Sequence, residues 1–159
     1  MTASASASTS TTSTIDTQAR RWLRLEGLAV LVAGAVAFGQ LGGEFLWFLP
    51  ALLVPDLAIA GYLGGPRIGA FVYNLVHGAA FGLAVAGAGL VLSVPLLALA
   101  GAVLVAHSGM DRAAGYGLKL ASGFQDTHLG RIGKPARGAV AAPSTDDTDR
   151  ALATTTVAG

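Results

Sequence analysis

The 159-residue sequence contains no cysteine and few charged residues. The absence of cysteine excludes a disulfide framework, a cysteine-ligated zinc or iron–sulfur site, and thiol chemistry. Charged residues make up 12% of the chain, which is about half their usage in an average soluble domain. The net charge of +1 argues against a nucleic-acid-binding protein, because such proteins typically present a basic patch. The chain is instead rich in hydrophobic residues, at 53%, and in glycine.

The few charges lie mainly in the two ends of the chain. Between Gly27 and Met110 the charged residues are Glu44, Asp56 and Arg67. Residues 1–19 are rich in Ser, Thr and Ala, and residues 135–159 are rich in Thr, Ala and Asp. Neither segment can bury enough apolar surface to offset the entropy of ordering, so both are predicted to be disordered tails. The domain between them is residues 20–134.

Apolar segments long enough to cross a bilayer follow one another within this domain. A membrane-spanning helix needs about 20 mostly apolar residues. The uncharged run after Arg67 is too long for one span and fits two, with a break near Pro95. The predicted spans are Leu25–Leu41, Phe45–Leu63, Ile68–Gly89 and Val94–Met110. The sequence therefore predicts an all-α integral membrane bundle of four transmembrane helices with disordered N- and C-terminal tails.

The Lys and Arg residues predict how this bundle is oriented. With four spans, both chain ends lie on the same side of the membrane as the loop around Arg67, and the basic residues collect on that side. The loops near Gly42 and Ser93 contain none. The positive-inside rule then places both termini in the cytoplasm, in a multi-pass protein of the inner (plasma) membrane. A twin-arginine export signal at Arg20-Arg21 is the weaker alternative, because three more spans follow it.

Small residues recur four apart in the predicted spans. The positions are Gly61, Gly65 and Gly69, then Gly78, Gly82 and Ala86. This spacing lets helix backbones approach closely in membrane lipid, where no hydrophobic force drives helices together. The pattern favours a compact bundle, and a homo-oligomer joined through one such face is the alternative.

The ionisable residues inside the spans are the candidates for a functional site, because charges at membrane depth cost about 2.5–3.5 kcal/mol on insertion scales. Asp56 and His77 flank the Gly65–Pro66 turn at similar separations. At 1.5 Å per residue both lie roughly 14–17 Å from that turn, near the bilayer midplane, and are predicted to pair. Pro55 precedes Asp56, and a helix interrupted by proline beside a polar residue is a pointer to a binding site.

A second pair, His107 and Asp111, projects from one face of span four, nearer the cytoplasm. The predicted catalytic residues are Asp56, His77, His107 and Asp111. The residues predicted to bind substrate are Glu26, Tyr73, Asn74, Arg67 and Arg112. A structural hydrogen-bond network is the alternative interpretation of the whole set. The segment after span four is predicted to lie at the membrane interface, or to act as a lid that brings Asp126 and His128 over the cytoplasmic mouth.

Three classes of function agree with a polar pocket that faces the cytoplasm. The first is an acid–base enzyme of the isomerase or cyclase type that acts on a lipophilic small molecule. The others are a small proton-coupled transporter and a non-catalytic membrane accessory protein. A metal-assisted enzyme would use His77, His107 and a carboxylate. His107 is expected several ångströms nearer the cytoplasm than His77, so neither a metal nor another cofactor is predicted.

A set of short motifs runs from about Arg24 to Lys134. They are Leu25-Glu26-Gly27, Pro55-Asp56-Leu57, Gly61-Tyr62, Gly65-Pro66-Arg67-Ile68-Gly69, Tyr73-Asn74-Leu75-Val76-His77, His107 with Asp111-Arg112, Gly115-Tyr116-Gly117-Leu118-Lys119, Gly123-Phe124, and Asp126-Thr127-His128-Leu129-Gly130-Arg131-Ile132-Gly133. Together they resemble the bacterial membrane family named domain of unknown function 4260. The resemblance implies a four-span membrane protein and supplies no activity.

Overall fold

The apolar middle of the chain forms helices, and the computed structural model describes residues 5–132. The helices are α1 (Ala5–Gln40), α2 (Phe45–Leu52), a 3₁₀ helix (Val54–Gly64), α3 (Pro66–Val76), α4 (Ala79–Val91) and α5 (Pro95–Ala114). The strands are β1 (Lys119–Leu120), β2 (Gly123–Thr127) and β3 (Gly130–Arg131). Residues 135–159, which the sequence predicts to be the C-terminal tail, lie outside the described residues.

Three helical stretches are long and apolar enough to cross a membrane. Within the described residues they are Thr17–Gln40, Phe45–Gly64 and Pro95–Ala114. Helices α3 and α4 pass the same test together and are bent by 52° at the break between them. Counted as one broken span, this pair brings the number of spans to four. The predicted all-α membrane bundle is confirmed, with three or four spans according to how the bent pair is counted.

The first helix begins earlier than the predicted span. Helix α1 starts at Ala5, well before Leu25, and includes most of the segment predicted to be the N-terminal tail. That segment has no glycine or proline that would stop a helix extending backwards from the apolar span. The domain boundaries drawn between residues 19 and 20 and between residues 134 and 135 stay predictions.

The second span is interrupted where its prolines predict. Helix α2 contains Pro50 and ends at Leu52, and the chain continues as a 3₁₀ helix with Pro55 in its first turn. Proline has no backbone N–H, so it cannot supply an intrahelical hydrogen bond. The N–H of Asp56 bonds to the carbonyl of Leu53 at 3.2 Å, which is the tighter 3₁₀ pattern.

The prediction of one continuous helix over residues 68–89 is wrong. Helix α3 ends at Val76, and α4 starts at Ala79 after Gly78 in an extended conformation (φ −88°, ψ 125°). Glycine is a poor helix former. A Cβ atom at Gly78 would lie 2.9 Å from the carbonyl oxygen of Asn74, so a side chain there would crowd the end of α3. The break places His77 at the C-terminal end of α3 instead of inside a helix.

Helix α5 forms the centre of the bundle and packs against both α1 and α4. Small residues on α5 allow these close approaches, and Ala106 is completely buried. Helices α1 and α5 are antiparallel, because Gly27 meets Arg112 while Gly34 meets Ala106. The end that carries Arg112 is called the basic end below. Its assignment to the cytoplasm stays a prediction.

The segment after α5 folds into a small antiparallel sheet, which the sequence reasoning did not predict. The strand order is β1-β2-β3, and Lys119 pairs with Thr127 across the first two strands. The residues between β1 and β2 form a turn that reverses the chain, which lets the two strands pair. The sheet packs on α3. The all-α membrane bundle therefore carries this three-stranded sheet at its basic end. The segment that forms it, from β1 to β3, is called the hairpin below.

Two glycines of α1 test this packing. A Cβ atom at Gly34 would lie 2.6 Å from the backbone nitrogen of Ala106, whereas one at Gly39 would meet nothing within 4 Å. Gly34→Ala is expected to lower the stability of the detergent-solubilised protein by about 1–3 kcal/mol, because the helix backbones must move apart. Gly39→Ala is the matched control and is expected to be neutral or to add up to about 1 kcal/mol. Thermal unfolding followed by circular dichroism measures both, and equal effects would contradict the packing.

Candidate functional site: a histidine–carboxylate cluster

Three ionisable side chains from three different helices converge inside the bundle. Asp56 comes from the 3₁₀ helix, His77 from the end of α3 and His107 from the middle of α5. The Oδ1 atom of Asp56 lies 3.4 Å from Nε2 of His77 and 3.5 Å from Nε2 of His107. The expected proximity of Asp56 and His77 is confirmed. These three residues are called the His–Asp cluster below.

The two histidines lie close together, although the sequence predicts a difference in depth between them. Their ring centroids are 4.7 Å apart and the rings meet edge to face. His77 lies at the C-terminal end of α3, where the chain bends by 52° into α4. The predicted difference in depth therefore does not keep the two rings apart, and both can contact one molecule or ion.

Both imidazole rings are held through their Nδ1 atoms by backbone carbonyls. Nδ1 of His77 lies 2.9 Å from the carbonyl oxygen of Tyr73, and Nδ1 of His107 lies 2.6 Å from that of Leu52. A carbonyl oxygen only accepts hydrogen bonds, so each Nδ1 must carry the hydrogen. In the neutral rings, both Nε2 atoms therefore present lone pairs toward Asp56.

Asp111 and Tyr73 form a second pair beside the cluster. The Tyr73 hydroxyl donates a hydrogen bond to Oδ2 of Asp111 at 2.9 Å. Oδ1 of the same carboxylate lies 4.0 Å from Nε2 of His107. The Tyr73 ring also stacks on His77, with 3.6 Å between the ring centroids. All four predicted catalytic residues thus lie within one connected group that also includes Tyr73.

Burial differs sharply within this group. The side chains of His77 and His107 are fully inaccessible, and Asp111 is nearly so, whereas 42% of the Asp56 side chain is accessible. Asp56 is therefore the member of the His–Asp cluster through which a molecule outside the bundle core can reach the two histidines.

A large apolar cavity lies near the His–Asp cluster, and its lining includes the sequence neighbours of two cluster residues and not the three cluster side chains. Its volume is about 800 Å³, and its walls include Pro55 and Val76, the neighbours in sequence of Asp56 and His77. The remaining lining residues are mostly apolar and include Trp47, Val54, Val72, Leu99 and Val103. The cavity extends toward the Gly42–Glu44 loop, at the end of the bundle opposite the basic end.

Comparison with protein-family models matches residues 20–132 to the family described as Domain of unknown function (DUF4260). The chain belongs to this family. No curated protein and no solved structure matches the chain. The matched range contains the whole His–Asp cluster, so the cluster lies within the DUF4260 domain and not in an appended segment.

In the DUF4260 fold, the residues predicted to bind substrate lie in several separate places. Tyr73 lies in the connected group. Glu26 is exposed on α1 and, with Arg112, lines a separate small cavity of about 160 Å³ at the basic end. Arg67 is exposed in the first turn of α3. The polar pocket expected at the cytoplasmic end is thus small, whereas the large cavity lies toward the other end.

Asn74 fastens the hairpin to the bundle. Its side-chain amide donates to the carbonyl of Lys119 at 2.8 Å and its side-chain oxygen accepts from the Lys119 N–H at 2.7 Å. The amide thereby satisfies both backbone groups of one residue in β1. Asn74 has a structural contact in this fold where the sequence reasoning predicted a contact with substrate.

Lys119 is a residue of this region that the sequence reasoning did not select. Its side chain is buried, with Nζ 3.9 Å from the centroid of the Phe124 ring and 5.1 Å from that of Tyr73. Burial lowers the pKa of Lys119, an effect that the charge of Asp111 opposes. The alternation Leu118-Lys119-Leu120 close to Phe124 was the available signal, because apolar neighbours favour burial of the lysine stem.

The hairpin covers the connected group on the side of Tyr73. Asp126 and His128, the two residues predicted to act in a lid, make contacts within the hairpin instead. Nδ1 of His128 accepts the N–H of Leu118 at 2.8 Å, and Oδ2 of Asp126 accepts the Ser122 hydroxyl at 2.8 Å. Both side chains hold the hairpin together. Lys119 is the hairpin residue that contacts Tyr73, and through it the hairpin touches the connected group.

The contact between Asn74 and Lys119 can be tested by hydrogen exchange. Asn74→Leu removes both hydrogen bonds and is expected to raise amide exchange throughout residues 118–128 by about 30-fold, because two net hydrogen bonds of about 1 kcal/mol each are lost. Asn74→Asp keeps the acceptor for the Lys119 N–H and is expected to give a smaller rise. Exchange in α4 is the internal control. Unchanged exchange in β1 and β2 of Asn74→Leu would contradict the contact.

The lowered pKa of Lys119 predicts a pH dependence. Between that lowered value and the ordinary 10.5, the unfolded chain binds more protons than the folded chain, so stability rises with pH in this window. Lys119→Met is expected to remove this rise and to be more stable than the parent chain at neutral pH. Denaturation midpoints in detergent between pH 7 and 10.5 measure the difference. A parallel pH profile for the two proteins would contradict a buried lysine.

Proposed function

We propose that this protein is a membrane-embedded enzyme that acts on a lipophilic small molecule by proton transfer, in an isomerisation or cyclisation. One observation carries the proposal: Pro55 and Val76, the sequence neighbours of Asp56 and His77, line an apolar cavity of about 800 Å³. Small-molecule sites are typically apolar clefts of about 300–1,000 Å³ with a few convergent polar groups. The cavity therefore has the size and composition that suit a lipophilic substrate.

The accessibility of the cluster assigns the roles. Asp56 is the partly accessible carboxylate, so it is the base that takes a proton from a carbon of the substrate. The Tyr73–Asp111 pair is hydrogen-bonded and buried, and it serves as the acid that returns a proton at another carbon. His77 and His107 lie between the two and fix their separation. One proton leaves and one returns, so the reaction needs no oxidant or reductant.

Proton-coupled transport is the second candidate, and a single observation favours it. Glu44 lines the same apolar cavity at its far end, so the cavity extends from an ionisable residue near one surface to Pro55 and Val76, the sequence neighbours of two cluster residues. Intramembrane acidic and histidine residues in series are typical of proton pathways. Proton flux into liposomes that contain the purified protein decides this candidate.

The enzyme proposal is tested by the lipid extract of producing cells. Isomerisation and cyclisation do not change mass, so the expected result is a compound with unchanged mass and a new chromatographic retention time in cells that express the protein. Tyr73→Phe removes the hydroxyl that bonds Asp111 and is expected to lower the amount of product formed per unit time by about 10²–10⁴-fold, the typical contribution of an acid–base group. Tyr116→Phe alters an exposed tyrosine and is the matched control.

A cavity-filling variant separates binding from chemistry. Val54→Trp places a large ring against the cavity and is expected to abolish product formation while leaving the His–Asp cluster in place. Equal lipid profiles for the parent chain, for Tyr73→Phe and for Val54→Trp, at equal amounts of inserted protein, would refute the proposed enzyme. A profile without product together with proton flux would support the transporter, and the absence of both would leave a membrane accessory role.

A further inference from the structure

We infer that Asp56, His77 and His107 bind a divalent transition-metal ion. The inference rests on the proposed function and deepens it by naming a cofactor for the same site, in which Asp56 would bind the ion through Oδ1 and take the proton with Oδ2. Metal binding is measured independently of activity. Three ligand atoms, the two Nε2 atoms and one carboxylate oxygen, lie within 4.8 Å of one another. Two histidines and one carboxylate are a common ligand set for catalytic zinc, in which the fourth position stays open for water or substrate.

Both histidine rings are held in a fixed orientation by backbone carbonyls. Each Nδ1–H is fixed on a backbone carbonyl, of Tyr73 for His77 and of Leu52 for His107. Histidines that bind metals typically donate their other ring N–H to a carbonyl or carboxylate, which fixes the tautomer and directs the free nitrogen at the ion. Both rings therefore have the arrangement that metal binding requires.

The Leu52 carbonyl is available to His107 because of Pro55. In the 3₁₀ pattern that begins here, the carbonyl of Leu52 would accept from the backbone N–H three residues on, and Pro55 has none. The N–H of Asp56, four residues on, bonds to Leu53 instead. Pro55 thus frees the Leu52 carbonyl to orient His107. Asp56, the residue directly after Pro55, carries the carboxylate that faces the same ring.

Three hydrogen-bond acceptor atoms also meet at one point in the cluster. With both Nδ1 atoms protonated, the two neutral Nε2 atoms and the Asp56 carboxylate present only lone pairs to each other. Nε2 of His107 is fully buried and has no hydrogen-bond partner among the described residues. A single proton shared between His77 and Asp56 would still leave that nitrogen without a partner, and a buried acceptor without a partner is costly. A cation that all three atoms bind removes this cost.

The distances agree with such an ion. Zn–N and Zn–O bonds of about 2.0–2.2 Å in a tetrahedron separate neighbouring ligand atoms by roughly 3.3–3.6 Å. The distances from Asp56 Oδ1 to the two Nε2 atoms are 3.4 and 3.5 Å. These two separations match the tetrahedron, and the two Nε2 atoms, which lie within 4.8 Å of each other, would close on the ion when it binds.

The charges around the cluster also favour a divalent ion. Two acidic side chains, Asp56 and Asp111, lie beside the two rings, and the cationic Lys119 is buried near Asp111. A divalent cation would pair with the Asp56 carboxylate, and charge at membrane depth is expensive unless it is paired. The nitrogen and oxygen ligands suit zinc, iron(II), cobalt(II) or manganese(II), and the absence of cysteine argues against soft metals.

Metal analysis of the full-length protein, purified in detergent, tests the inference. The expected content is about one equivalent of transition metal per chain. His107→Gln and Asp56→Asn are each expected to weaken metal binding by more than about 100-fold, since loss of even an outer-shell partner costs about 10–100-fold. His128→Gln is the matched control, because His128 is the third histidine of the chain and lies exposed on the hairpin.

Cobalt(II) provides a readout that does not depend on activity or on the folding of a variant. Protein stripped with a chelator and titrated with Co²⁺ is expected to develop the visible absorption of four-coordinate cobalt at one equivalent. The inference is overturned if the folded parent protein contains no transition metal and shows no such absorption, or if His128→Gln loses metal as His107→Gln does. Metal binding with an unchanged lipid profile would refute the proposed enzyme alone. A lipid product without bound metal would refute the metal alone.

Discussion

The hydrogen bond between His107 and the Leu52 carbonyl is the interaction on which the site depends. It joins the central helix α5 to the interrupted second span at a point where the helix has lost its own donor. A backbone carbonyl at membrane depth must find a partner inside the protein, because lipid offers none. The same bond fixes the His107 ring, and the turn of the 3₁₀ helix that follows places Asp56 against it. One local defect in a helix thus supplies both the orientation and the neighbour of a buried histidine.

Much of the fold follows from the sequence, because a bilayer imposes simple constraints. Apolar length identifies the helices, and turn residues such as Gly65 and Pro66 mark where two of them meet. The proximity of Asp56 and His77 also follows, since two antiparallel helices that share a turn bring residues at equal distance to equal depth. The basic residues near the turn add an orientation that stays a prediction.

What the sequence did not predict depends on contacts between segments far apart in the chain. Gly78 could have continued the helix, as many glycines do in membrane spans; the bend appears only when α3 and α4 have different neighbours. The approach of His107 to His77 likewise joins residues that are 30 apart in the chain. The hairpin depends on the pairing of Asn74 with Lys119, 45 residues apart, which no local pattern indicates.

The break at Gly78 also divides the helices by their neighbours. Helices α1 and α4 pack on α5, while α3 packs on the 3₁₀ helix and the hairpin. His107 belongs to the first group, and Asp56 and His77 belong to the second. An ion bound by the cluster would therefore cross-link the two groups of helices. Its loss would weaken the packing between the two groups before it weakened the packing within either group. The cavity wall is built from both groups, with Val103 on one side and Val72 on the other, so occupancy of the cluster and the shape of the cavity are mechanically linked.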